Sequence, residues 1–158
     1  MYHASMWHLF PGFTGLVLGP VILAGIWFAS YFTKEFASYN LDPKGERGTF
    51  EPLLSKYIRA AEFVIGIATG SIVLLVGSSA LHAQGGLLPW FYASPLLVLG
   101  WCVIYGVGFI VWLIHSYEEY LHDNPHTRLT YSISETLGFS SLACFCLGYI
   151  LLIFLVTR

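Results

Sequence analysis

The chain has 158 residues, 56% of them hydrophobic and only 10% charged, with a formal net charge of −2. Soluble proteins carry roughly 25% charged residues, so these few charges cannot cover a water-facing domain of this size, and lipid is the expected solvent. With no basic patch there is nothing to hold nucleic acid, and three cysteines set in apolar sequence give no disulfide framework.

The first apolar segment, Trp7–Phe32, exceeds the ~20 residues that cross a hydrocarbon core. No basic stretch precedes it and no small-x-small cleavage site follows, so it reads as a retained helix and not as a signal peptide. Gly15-x3-Gly19 provides a smooth stripe for a neighbouring backbone. Pro20 removes a backbone donor and predicts a kink. The leading "MYHASMWH" places Met1, His3, Met6 and His8 together, donors that suit copper.

Residues 34–52 form the one long connection, rich in Asp-Pro, Lys-Gly and Arg-Gly turn signals. Pro52 fits the first turn of a helix. From there "PLLSKYIRAAEF" sets Leu53, Leu54, Tyr57, Ile58 and Ala61 on one face, with Lys56 and Arg59 off it, so a helix starts in the headgroup region with snorkelling cations. It continues into a second span, Ala60–Ala83. Glu62 lies just inside that span, where an acid is costly unless paired. Arg59, one turn earlier, is its expected partner. Gly66-x3-Gly70 forms a second small-residue stripe, and His82 closes the span.

The third span is Pro89–His115, with Pro95 expected to kink it and Cys102 in its apolar interior. "HSYEEYLHDNPH" follows. If the helix continues, His115, Glu119 and His122 share one face. Glu119-x2-His122 is the spacing with which one helix offers a carboxylate and an imidazole to one metal, as in di-iron bundles. Glu35, Glu62 and Glu135 would supply further carboxylates at that depth. A second such element is missing, and Asn124-Pro125 is a strong helix breaker.

The fourth span is Ile133–Val156. Ser132 and Glu135 have capping-box spacing. Ser140-x3-Cys144-x3-Gly148 is a third small-residue stripe, and Cys144 and Cys146 point to different faces, as structural thiols do.

The charges favour one end. Lys34, Lys44, Arg47, Lys56 and Arg59 lie between spans one and two and Arg128 between spans three and four, whereas "QGGLL" has none. The positive-inside rule puts loops 34–59 and 116–132 in the cytoplasm of a bacterial-type plasma membrane, with both termini extracytoplasmic. Trp27, Tyr31, Tyr57, Trp112, Tyr117 and Tyr131 then form the inner aromatic belt, and Trp7, Trp90 and Tyr92 the outer one.

The expected fold is therefore an all-α integral membrane protein, an antiparallel four-helix transmembrane bundle with residues 1–158 as a single domain. Nucleotide-binding and hydrolase motifs are absent. The leading expectation for function is a non-catalytic or accessory subunit of a larger membrane complex or homo-oligomer, with membrane lipid, other subunits or itself as partners. The alternatives are a haem- or metal-binding redox protein and a small-solute transporter. His8 and His82, at one membrane face, are the candidate haem b or copper ligands. His115, Glu119, His122 and Glu62 are the candidate metal ligands, with iron in view. Scarce mid-membrane ionisable groups disfavour ion conduction.

Overall fold

The computed structural model describes residues 10–33, 51–78, 92–122 and 128–157. They form four α-helices: α1 Phe10–Thr33, α2 Glu51–Gly77, α3 Ala93–Leu121 and α4 Arg128–Val156. Each is long and apolar enough to cross a membrane, and together they form a four-helix transmembrane bundle. Many of their large apolar side chains face outward, among them Val21, Phe28, Phe63, Leu74, Val111 and Phe154. That surface suits lipid and would aggregate in water.

α3 and α4 are the central pair. Their contacts run antiparallel: Leu99 fills the space left by Gly148, and the Phe109 ring lies over Gly138. Ser141 Oγ donates to the Cys102 carbonyl at 2.9 Å, and Trp112 Nε1 donates to the Thr130 carbonyl at 3.2 Å. The buried core is Ala68, Val98, Leu99, Cys102, Tyr105, Cys144 and Leu152.

α1 crosses this pair on one side, meeting α3 near its start and α4 near its end. A Cβ on Gly15 would lie 2.7 Å from the Ser94 carbonyl oxygen, and one on Gly19 would overlap the Trp101 indole. The first stripe is therefore used inside the chain. Pro20 lies inside α1 and has no N–H to give the Leu16 carbonyl, four residues back. Trp101 Nε1 donates to that oxygen at 3.2 Å. One indole thus fills the glycine notch and satisfies the acceptor that the proline frees.

α2 packs mainly on α3, where Gly106 makes room for Ile65. It touches α4 only slightly. Ser71 Oγ and Tyr149 Oη share a hydrogen bond that pins the two helices in their later halves.

Three sequence expectations shift. α3 begins at Ala93, so Pro95 falls in its first turn, where a missing N–H breaks no helical bond, and no kink is needed there. α3 also runs on to Leu121, past His115. α4 starts at Arg128 and not near Ser132, so the Ser132–Glu135 pair sits within the helix and caps nothing. The hold of Trp112 on the Thr130 carbonyl, and the side-chain hydroxyls of Ser134 and Thr136 donating to the Thr130 and Ser132 carbonyls, tie this early turn down.

Candidate functional site

The end of the bundle where α1 ends, α2 starts, α3 ends and α4 starts is the charged end. From the Ser71–Tyr149 pin towards it, a groove opens between α2 and α4 with α3 as its floor. Its cavity volume is about 380 Å³, within the ~300–1,000 Å³ typical of ligand sites. Small residues line it: Ala60 and Ala61 on α2, Gly106 on α3 and Gly138 on α4. Val64, Phe109, Leu113, Phe139 and Leu142 give it an apolar wall.

The polar groups gather towards the charged end. Tyr57 comes from α2, Ser116 and Tyr117 from α3, and Thr130, Tyr131, Ser134 and Glu135 from α4. Three of the groove's serines donate their hydroxyl protons to the main chain: Ser116 to Trp112 at 2.8 Å, Ser134 to Thr130 at 3.1 Å and Ser141 to Cys102 at 2.9 Å. Ser141 Oγ also meets Cys102 Sγ at 3.6 Å. Glu135 Oε2 accepts a hydrogen bond from Ser30 Oγ of α1 at 3.1 Å. The carboxylate read from sequence as a helix cap thus joins α1 to the groove wall. The polar end of the groove is rich in acceptors and aromatic rings, and Glu135 is its acid.

The sequence candidates are only partly brought together. His115 Nε2 lies 3.6 Å from Glu119 Oε1, both well exposed at 56% and 44% of their side chains. His122 lies in the turn after α3, and its Nδ1 meets the Glu118 carbonyl oxygen at 2.8 Å. Glu62 is on the outward side of α2, exposed like Arg59, and among the described residues no ion pair joins the two. No group of three or more His, Cys, Asp or Glu gathers into a metal-binding set among the described residues. His8 and His82 lie outside the described residues.

The groove itself was not anticipated from the sequence. Its traces there are small residues on three helices, but only the packing of α2, α3 and α4 sets them round one gap. No family model, no curated protein and no solved structure matches this chain.

Proposed function

We propose that the protein is a non-catalytic subunit of a membrane assembly, docking other membrane helices or further copies of itself through the outward face of α2. The observation that carries this reading is a seam on that helix. Arg59, Phe63, Gly66, Gly70, Val73 and Gly77 follow one another at alternating four- and three-residue steps, and all are exposed. That is the heptad rhythm of a helix–helix seam. A Cβ at Gly66, Gly70 or Gly77 would meet nothing within 4 Å, whereas Gly15, Gly19, Gly106 and Gly148 are all closely approached by neighbours within the chain. Phe63 and Val73, exposed by 69% and 64%, are knobs beside these holes.

Glu62 adjoins the seam three residues from Arg59. In a two-fold interface each residue of such a pair meets the other's counterpart, so two copies would pair both charges twice. This supplies the partner that an acid at the edge of a membrane span needs.

The test compares Gly66→Ile and Gly70→Ile with Gly25→Ile, a lipid-facing glycine on α1 that also meets nothing within 4 Å. Protein in mild detergent and in lipid nanodiscs is sized by light scattering. The wild type and Gly25→Ile are expected to run as assemblies, and the seam variants as monomers. A wild-type monomer in both media, with no co-purifying subunit, overturns the reading.

We place the charged end in the cytoplasm, supported by Lys56, Arg59 and the loop cations. A single cysteine at position 44, in a chain whose three native cysteines are replaced, should react with an impermeant maleimide only after the cells are opened. Labelling of intact cells reverses the orientation.

A further inference from the structure

We propose that the groove between α2 and α4 seats one acyl chain of a phospholipid from the leaflet at the charged end, whatever that lipid's head. This rests on the groove and not on the assembly reading.

The walls place the groove in lipid. Its rims are exposed side chains of two lipid-facing helices, Tyr57 and Ala60 on α2 and Phe139 and Leu142 on α4, over the less exposed Gly106 and Phe109 of α3. Such a mouth opens sideways into the bilayer. The depth fits one leaflet. The lining runs from Gly106 to Tyr117 on α3 and from Thr130 to Leu142 on α4, about 17 and 18 Å at 1.5 Å per residue, against ~15 Å for half of a hydrocarbon core. Towards mid-membrane the groove is closed: Ile65 seats on Gly106, Ala68 is fully buried and Ser71 bonds Tyr149. The section fits one chain. A volume of 380 Å³ over about 17 Å gives a section of about 22 Å². That admits one alkyl chain, whereas a partner helix about 10 Å across needs roughly 80 Å².

The polar lining is already engaged. Ser116 and Ser134 give their protons to main-chain carbonyls. Glu135 has Ser30 and a further partner, and Tyr117, Thr130 and Tyr131 have interactions of their own. Ser141 lies deep, beside Cys102 and Gly106. The occupant therefore meets chiefly apolar side chains, whose dispersion contacts are lost while the space is empty and restored by a chain that fills it. At the outer end Lys56 is exposed beside Tyr57. It offers a snorkelling cation to the phosphate that all phospholipids share, and the phenol suits the interface.

The test is photolabelling of the full chain in phosphatidylcholine bilayers holding a trace of the same lipid with a diazirine on one acyl chain. The diazirine is placed either near the ester or near the chain end, and the labelled positions are mapped on peptides. The chain-end probe should mark Phe109 and Leu142, and the near-ester probe Tyr57 and Tyr131. Each mark should be severalfold stronger than those at Val107 and Val111, exposed residues in the same stretch of α3. Phosphatidylglycerol probes should give the same map. Ala61→Phe puts a ring into the groove and should remove its labels while leaving those at Val107 and Val111. Ile153→Phe, at an exposed position of α4 outside the groove, should change nothing. If Ala61→Phe does not fold, Ala60→Trp covers the mouth from the α2 rim and should act alike. Groove labels no stronger than those at Val107 and Val111, or unchanged in the folded groove variant, overturn the proposal. So does a chain-end probe that marks Tyr57, or a map confined to one head. Extraction of a stoichiometric single-chain amphiphile, such as a fatty acid or an isoprenoid quinone, also overturns it and gives the groove to that molecule.

Discussion

Ser140 and Ser141 are neighbours in sequence and both are buried, yet their hydroxyls are in opposite situations. Ser141 Oγ donates to the Cys102 carbonyl across the α3–α4 contact. Ser140 Oγ is buried with no hydrogen-bond partner among the described residues. A buried polar group left unpaired costs roughly 1–3 kcal/mol, so Ser140 is used for its small size in the Ser140–Cys144–Gly148 stripe and not for its oxygen. Ser140→Ala should leave stability unchanged or raise it by up to ~1 kcal/mol. Ser141→Ala should lower it by ~0.6 kcal/mol, the average for interhelical hydrogen bonds in membranes, and by no more than ~1.7 kcal/mol. Unfolding in mixed dodecylmaltoside–dodecylsulfate micelles reads both, and equal losses would mean that the Ser140 hydroxyl has a partner.

Trp101 makes the same point with a larger side chain. Its ring needs the notch of Gly19, and its Nε1 needs the carbonyl that Pro20 releases at Leu16. Trp101→Phe keeps most of the ring and removes the donor, so it should cost ~1–3 kcal/mol for the orphaned carbonyl. Combining it with Pro20→Ala restores the N–H to Leu16 and should recover part of that loss. A fully additive double variant would separate the two residues.

At the scale of elements, how far the sequence could be read depended on what fixes each feature. The four spans were legible because a long apolar run has one stable outcome in lipid. Their ends were not, because "SYEEYL" and "RLTYS" satisfy their backbones helically whether or not they lie in hydrocarbon. Pro95 was misread because its effect depends on its distance from a helix start, which apolar length does not fix. Glu135 was misread because Ser-x-x-Glu spacing is met equally by a cap and by two residues inside a helix. The first and third small-residue stripes are packing surfaces within the chain, and the α1 stripe is the one most tightly used. Gly19→Val should detach α1 from α3, since its Cβ overlaps the Trp101 indole. The expected readout is faster proteolysis within α1 with α3 and α4 still protected. Gly25→Val, which meets nothing, should leave the pattern unchanged.

At the scale of the whole molecule, α2 presents the outward seam on one face and lines the groove with another, and it is held by the fewest contacts to the rest. The seam glycines face out, while Ala60, Ala61 and Val64 face the groove. The groove was invisible in the sequence because it is a property of how α2, α3 and α4 pack, which no single helix encodes. Contacts that hold α2 in place include Ile65 against Gly106 and the Ser71–Tyr149 hydrogen bond, with Tyr149 Oη also 3.5 Å from the Ile67 carbonyl. Interhelical bonds of this kind average ~0.6 kcal/mol, so Tyr149→Phe should barely change global stability. It should instead act locally, because elements with few buried contacts open independently of the core. Amide hydrogen exchange should quicken severalfold in the later half of α2, while the α3–α4 pair, joined through Leu99, Ser141 and Trp112, keeps its wild-type rates. Uniform quickening across all four helices would show that α2 belongs to the same cooperative unit as the core, and the groove would then be a fixed cleft whose width does not depend on that pin.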